Sequence, residues 1–281
     1  MDLTFPERYG SDFLPPGYAF FLDNSETDSQ ARLGFSTFPP PPELEECSAR
    51  EFNPEAPEEK YPILNFVEAR QESSDDFAIV SRDAVTIFRR ISRVMEVYLF
   101  EDPHIVERFE KYASMFMACL LAEDNGLLLH GSGFILDGMS GAVIGPSGAG
   151  KSTAARLIDH DFLLSDDAVA VTGVGDKTPL LNATPFGGKT DGVGEAPLKA
   201  LFFPRKSEQF AIRPITPREA LVRYLNEHAE YISEPFKPYV KMTFENAHEM
   251  FQKVPSYELS FSKDYIDTDA IREVLGEGGD S

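Results

Sequence analysis

The sequence predicts an α/β protein: a mixed β-sheet with flanking helices, preceded by a small β-rich N-terminal region. Three observations predict it. Apolar Ala142-Val143-Ile144 runs into a glycine-rich stretch, Gly145 to Gly150, and helix-forming Ser152 to Ile158 follows, a strand, loop and helix in succession. From Leu127 onward, short apolar runs alternate with segments of helical period. Between Phe77 and Leu99 lie three short strand-like runs, in the third of which Met95, Val97 and Leu99 share one face by the two-residue period, as in a small antiparallel sheet. The chain of 281 residues, 42% hydrophobic with 23 Phe, has enough apolar material for a real core.

Composition excludes some classes of function. A formal charge of −21 gives no basic footprint for nucleic acid and repels anionic membrane surfaces. No apolar run approaches the length of a bilayer span. Cys47 and Cys119 have neither metal-ligand spacing nor a disulfide framework, which implies a reducing compartment. The start, Met1-Asp2-Leu3-Thr4-Phe5-Pro6, lacks a basic region followed by an apolar core, so a cytoplasmic protein is expected.

Residues 1–64 form a Pro- and acid-rich region, with Tyr18 to Leu22 and Leu33 to Phe38 as two short strands and the tract Pro39 to Pro42 as a stiff spacer. Residues 65–124 hold the strands Phe77–Val80, Ala84–Phe88 and Val94–Leu99, with a turn at Asp83. Asp102-Pro103 then opens a helix to about Glu123, and Val106, Phe109, Ala113, Phe116, Met117 and Leu120 make its core stripe. The main domain, residues 125–275, begins with the run Leu127 to His130, which ends where Gly131-Ser132-Gly133 reads as a turn. Phe134-Ile135-Leu136 and Ala142-Val143-Ile144 pair as a hairpin around Asp137 to Ser140. Strands follow at Phe162–Leu164, Val169–Val174, Leu198–Arg205 and Tyr257–Phe261. Helices are expected from Thr216-Pro217 to about Asn226, from Pro238 to Lys253 and from Asp267 to Leu275, with a tail over 276–281 that frays.

Gly145, Gly150, Lys151 and Ser152 fit the phosphate-binding pattern G-x-x-x-x-G-K-[ST], in the strand-loop-helix context it requires. Backbone N–H groups of Gly145, Pro146 to Gly150 and the helix start turn toward a triphosphate, excepting the proline nitrogen, and Lys151 reaches its β- and γ-phosphates. Pro146, Ser147, Gly148 and Ala149 line that loop; Ser152, with Thr153 beside it, is placed to ligate Mg²⁺. Asp166 and Asp167 end a strand that returns toward the loop, where one acid can hold the cation and the other accept a proton. His130 is placed near the γ-phosphate by the neighbouring strand, and Arg205 ends a strand from which it can contact a transferred phosphoryl group. Pro185 to Gly192 reads as a substrate or nucleotide clamp, with Lys189 meeting phosphate charge, or as an ordinary exposed loop.

The succession of a His-Gly strand, a hairpin, Gly-Pro-Ser-Gly-Ala-Gly-Lys-Ser-Thr and Leu164-Ser165-Asp166-Asp167-Ala168-Val169 resembles the C-terminal domain of HPr serine kinase/phosphorylase. It is similar still more to HPr-kinase-like proteins of peptide-modification gene clusters, through Leu129 to Phe134, Thr184-Pro185-Phe186-Gly187-Gly188 and Pro197 to Phe203. The resemblance covers about residues 95 to 275 and implies a core of the HPr kinase/phosphoenolpyruvate carboxykinase type. It further implies proton transfer by His130 and Asp166, and metal binding by Asp167. The chain has no counterpart of the family segment R-G-x-G-(I/L)-x-(N/D), which implies an acceptor other than HPr and no reverse reaction.

The expected activity is transfer of the γ-phosphoryl group of ATP, with Mg²⁺, to a hydroxyl such as a serine of a peptide or small protein; a homo-oligomer is compatible with this. A small-molecule kinase of the shikimate-kinase type is the second reading, against which the hairpin entering the loop speaks. A nucleotide-binding adaptor or regulator without turnover is the third, against which His130, Asp166 and Asp167 speak.

Overall fold

The computed structural model describes residues 2–4, 32–37, 66–71, 76–81, 84–89, 91–99, 105–176, 178–186, 189–228 and 237–277. Tyr18 to Leu22, the proline tract, the turn at Asp83, Asp102-Pro103, Gly187-Gly188 and residues 278–281 lie outside them. The described residues form a mixed α/β protein in two compact units, divided between Phe116 and Met117.

The first unit contains a six-stranded sheet: β1 (Asp2–Thr4), β2 (Arg32–Thr37), β3 (Phe66–Gln71), β4 (Asp76–Ser81), β5 (Ala84–Arg89) and β6 (Val94–Leu99), in the order β1-β2-β6-β5-β4-β3. β3 to β6 are an antiparallel meander, but β2 runs parallel to β6 and β1 parallel to β2. The sheet is therefore mixed, and it draws strands from both sides of the boundary expected at residue 64. Met95 and Val97 are fully buried, as the two-residue period requires of one face, and Phe88 meets Phe116 edge-on at 5.7 Å. Phe116 lies on α1 (Ile105–Glu123), where Ala113 and Leu120 of the expected stripe are buried as well.

In the second unit the strands are β7 (Leu127–Leu136), β8 (Met139–Ile144), β9 (Phe162–Ser165), β10 (Ala168–Thr172), β11 (Leu180–Asn182), β12 (Glu195–Lys206), β13 (Ala211–Ile215) and β14 (Ser256–Phe261). Its helices are α2 (Lys151–Leu157), α3 (Pro217–His228), α4 (Lys237–Lys253) and α5 (Thr268–Glu277). The strand order is β11-β10-β7-β8-β12-β14-β13, with β9 beside β7. β11 also pairs with the start of β12, so β10, β7, β8, β12 and β11 close into a circuit. β8, β12 and β14 run parallel, which brings their C-terminal ends to one edge. Ligand sites of α/β sheets gather at such edges.

Alternation along β12 sorts the core into two faces. Leu201 and Phe203 point to a cluster with Leu129, Val169, Tyr224 and Phe251, closed by α3 and α4. Ala200 and Phe202 point the other way, to Phe134, Val143, Ala154, Leu259 and Ile271, closed by α2 and α5. Within this unit α4 is tied to the end of α1: Asn246 Nδ2 donates to Ala122 O (3.0 Å) and Gly126 O (3.1 Å).

The turn expected at Gly131-Ser132-Gly133 is absent, and this corrects the reading of His130 as a strand end. β7 runs unbroken through all ten residues and pairs with β10, β9 and β8 along its length. The glycines serve close approach: a Cβ at Gly131 would lie 2.7 Å from Val143 O, and one at Gly133 would lie 2.7 Å from Val169 Cγ1. Gly133→Ala is accordingly expected to destabilise the protein by about 1–3 kcal/mol, the usual cost of forcing extra volume into a packed core, read as a lowered denaturant midpoint.

β13 is a second difference from expectation, since Arg213 and Pro214 make its sequence unlike a strand. It stands at the end of the sheet, where proline is tolerated because a nitrogen facing away from the neighbouring strand has no ladder bond to lose. The helix that follows is capped as the sequence predicts, Thr216 Oγ1 accepting from Glu219 N at 3.2 Å. At the other end of the chain α5 extends to Glu277, past the point where fraying is expected.

Candidate functional site

The Gly145 to Gly150 loop leaves β8 at the edge shared by the three parallel strands and enters α2 at Lys151. Gly148 (φ 75°) and Gly150 (φ 110°) adopt positive φ, a backbone that L side chains rarely take, and a turn bond joins Ala149 N to Pro146 O at 3.1 Å. Pro146, Ser147 and Gly148 are exposed, and a Cβ at Gly148 would meet nothing within 4 Å. The rim of the loop is open.

Lys151 is the buried centre of the site, with 6% of its surface exposed. Its Nζ donates to Gly145 O at 2.7 Å and to Pro146 O at 3.0 Å, and lies 2.9 Å from His130 Nε2. An ammonium has donors only, so the contact makes Nε2 the acceptor and puts the ring proton on Nδ1. His130 Nδ1 faces Asp167 Oδ1 at 3.6 Å. Lysine, imidazole and carboxylate thus form a row beside the loop. β7 positions the histidine and α2 the lysine; the aspartate comes from the break between β9 and β10.

The two acids are held differently. Asp167 has its backbone fixed on both sides, its N donating to Ser165 Oγ (3.3 Å) and its O accepting from Gly131 N (2.8 Å), while its side chain is 54% exposed. Asp166 latches the following loop: its N donates to Lys189 O (3.0 Å) and its Oδ1 accepts from Lys189 N (2.8 Å). Leu163 and Asp191 extend that pairing, with Leu163 N donating to Asp191 Oδ2 at 2.7 Å. The Asp166 carbonyl also receives Ser132 Oγ at 2.8 Å and Ser152 Oγ at 3.2 Å, joining the loop serine to the paired acids.

Sequence reasoning did not find the supporting hydroxyls. Ser132 and Ser165 are buried, and Thr184 Oγ1 donates to Ala168 O at 2.7 Å, pinning the start of the 184–192 segment. The available signal was a lone serine between two glycines in an apolar run. Thr153 is part-buried on the first turn of α2, next to exposed Ser152.

The donor set suits a cation that arrives with a nucleotide. Magnesium keeps several waters and takes one or two protein oxygens along with phosphate oxygens. Ser152 and Asp167 supply such oxygens at the open edge, and the Ser152 proton is committed to Asp166 O, leaving the hydroxyl lone pairs as acceptors. Among the described residues no group of three His, Cys, Asp or Glu forms a protein-only metal cage.

Arg205 is not brought into this row. Its NH1 donates to Glu258 Oε1 at 3.1 Å, on the sheet face where Arg223 also reaches Glu258, at 2.8 Å, and Arg213 lies at 3.5 Å. The Arg223 hydrogen bond, with those of Arg205 and the charge of Arg213, outweighs burial and holds the Glu258 carboxyl down to about 2. A depressed carboxyl contributes stability in full above its ordinary value and loses it as pH falls toward the folded-state value. The difference in unfolding midpoint between the parent and Glu258→Gln is therefore expected to shrink as pH falls from about 4.5 to about 2.

No helix among the described residues is long and apolar enough to cross a membrane. No protein-family model matches this sequence, and no curated protein matches it significantly.

Proposed function

We propose that the chain is an ATP- and Mg²⁺-dependent phosphotransferase of the HPr-kinase-like, P-loop type, which phosphorylates a hydroxyl, such as a serine, on a peptide or small protein. The observation that carries the proposal is the row of Lys151, His130 and Asp167 at an open G-x-x-x-x-G-K-S loop. In this reading the loop N–H groups and Lys151 take the β- and γ-phosphates, and Ser152 and Asp167 hold the Mg²⁺ that accompanies them. His130, fixed between Lys151 and Asp167, keeps both side chains in place. Asp166 spends Oδ1 on the Lys189 amide, and its other oxygen receives the acceptor's proton as the hydroxyl oxygen bonds to the γ-phosphorus and ADP leaves.

The test is transfer itself. Purified protein, γ-labelled ATP and Mg²⁺ are incubated with a panel of serine-containing peptides and with HPr. Label is expected on peptide serine, dependent on Mg²⁺, and not on HPr. Absence of both transfer and MgATP binding overturns the proposal; MgATP binding without transfer to any acceptor or water favours the adaptor reading instead.

A further inference from the structure

Within the acidic chain, the stretch that begins at the end of β12 inverts the charge locally. Between Arg205 and Arg223 there are five basic residues, Arg205, Lys206, Arg213, Arg218 and Arg223, and two acidic ones, Glu208 and Glu219, whereas the whole chain has 26 basic and 47 acidic. The fold places this stretch at the end of β12, along the terminal strand β13 and on the first turns of α3.

Arg205 and Arg223 are hydrogen-bonded in place, and Arg213 stands between two carboxylates, 3.7 Å from Glu219 and 3.5 Å from Glu258. Glu258, whose side chain is 9% exposed, accepts from Arg205 at 3.1 Å and Arg223 at 2.8 Å. Arg223 also lies over the Phe203 ring, 5.7 Å from its centroid, and donates to Glu219 at 2.8 Å. The buried carboxylate thus acts as an anchor beneath three cations that would otherwise repel one another. Arg205 and Arg213 remain 67% and 58% exposed. Each guanidinium has five N–H donors, more than these contacts use, so both present donors to solvent while their carboxylate neighbours hold them near Glu258. An anion bound there meets little ordering cost.

The neighbourhood says which anion. Pro204, one residue before Arg205 and on the opposite face of β12, packs against the loop, where a Cβ on Gly145 would lie 3.3 Å from Pro204 Cδ, so the patch and the loop share one end of the sheet. An extended polyanion such as nucleic acid would run from this patch onto a surface of its own sign. A short acidic segment would not.

We propose that Arg205 and Arg213 form a docking site for an acidic segment of the acceptor peptide or protein, at the end of the sheet that carries the loop. This names the substrate class of the kinase reading and rests on it. The partner engages side chains of β12 and β13, and the charge match selects acceptors rich in Glu and Asp.

Fluorescence anisotropy tests this without requiring turnover. The probes are two fluorescein-labelled peptides with a central serine, one flanked on each side by three glutamates and one by three glutamines. The acidic probe is expected to bind the full chain, with affinity falling as salt is raised. In the double variant Arg205→Gln, Arg213→Gln, binding should be roughly tenfold weaker, as loss of charge-assisted contacts implies. Arg223 is left in place, and a glutamine at 205 still donates to Glu258, so the fold should hold; thermal unfolding checks it. Lys241→Gln, on α4 away from the patch in sequence, should bind as the parent does. Equal binding of the two probes, or equal binding by parent and double variant, overturns the docking site. Lys151→Ala separates the two ideas: it should keep the acidic probe while losing MgATP, so failure of probe binding alone sinks the docking site, and failure of MgATP binding by the parent alone sinks the kinase reading.

Discussion

Lys151→Ala is expected to reduce MgATP affinity by on the order of a hundredfold, because the loop's backbone donors supply geometry while this side chain supplies the charge. In the structure the Nζ already lies within hydrogen-bond distance of Gly145 O, Pro146 O and His130 Nε2. On the proposed reading the ammonium would reach the phosphates from a held position, its lost contacts to carbonyls replaced by contacts to anionic oxygen. Lys151→Met, which keeps most of the side-chain volume, should lose affinity equally and remain folded by circular dichroism. Titration calorimetry decides the matter: unchanged affinity in either variant removes the assignment of the loop.

A second large effect concerns the paired acids, and the Lys189 contact supplies a control that the sequence alone did not offer. Asp166→Asn keeps an oxygen able to accept from Lys189 N, whereas Asp166→Ala does not. Turnover is expected to fall about 10²- to 10⁴-fold in both, the usual loss when a positioned proton acceptor is removed. Hydrogen exchange at the 189–192 backbone should rise only in the alanine variant. Asp167→Asn should instead shift the Mg²⁺ dependence, raising the concentration needed for half-maximal turnover. Near-parent turnover in Asp166→Asn would show that its carboxylate serves only to hold the loop.

The loop from Gly145 to Gly150, the hairpin before it, the core helices and the strands at 77–99 were legible because each rests on a local signal: a periodic apolar run, a capping residue or a glycine motif. What was not legible depends on partners remote in sequence. Gly131-Ser132-Gly133 has the composition of a turn, yet neighbouring strands on either side pull it straight, and the absence of Cβ atoms is what lets them approach. β1 is short, and only pairing with β2, some thirty residues later, gives it a sheet to join. The same limit applied at the site. Lys151, Asp166 and Asp167 were visible from a motif and an adjacent acid pair, but the Lys189 latch comes from a loop that returns to the break between β9 and β10, and the grouping of Arg205 with Glu258 from strand register. A lone Glu inside the apolar run Tyr257 to Phe261 was the trace of that grouping in the sequence.

Pro214 carries a consequence for solubility and assembly. A sheet's last strand ordinarily offers unpaired N–H groups that template the edge of another molecule, the first step of many aggregates. On β13 one such donor is missing, and the exposed guanidinium of Arg213 stands beside the gap. Edge-to-edge joining of two copies would confront like charges and a broken hydrogen-bond ladder. Self-association of this chain is therefore steered to other surfaces, and the β13 margin stays open to monomeric guests that bind through their side chains.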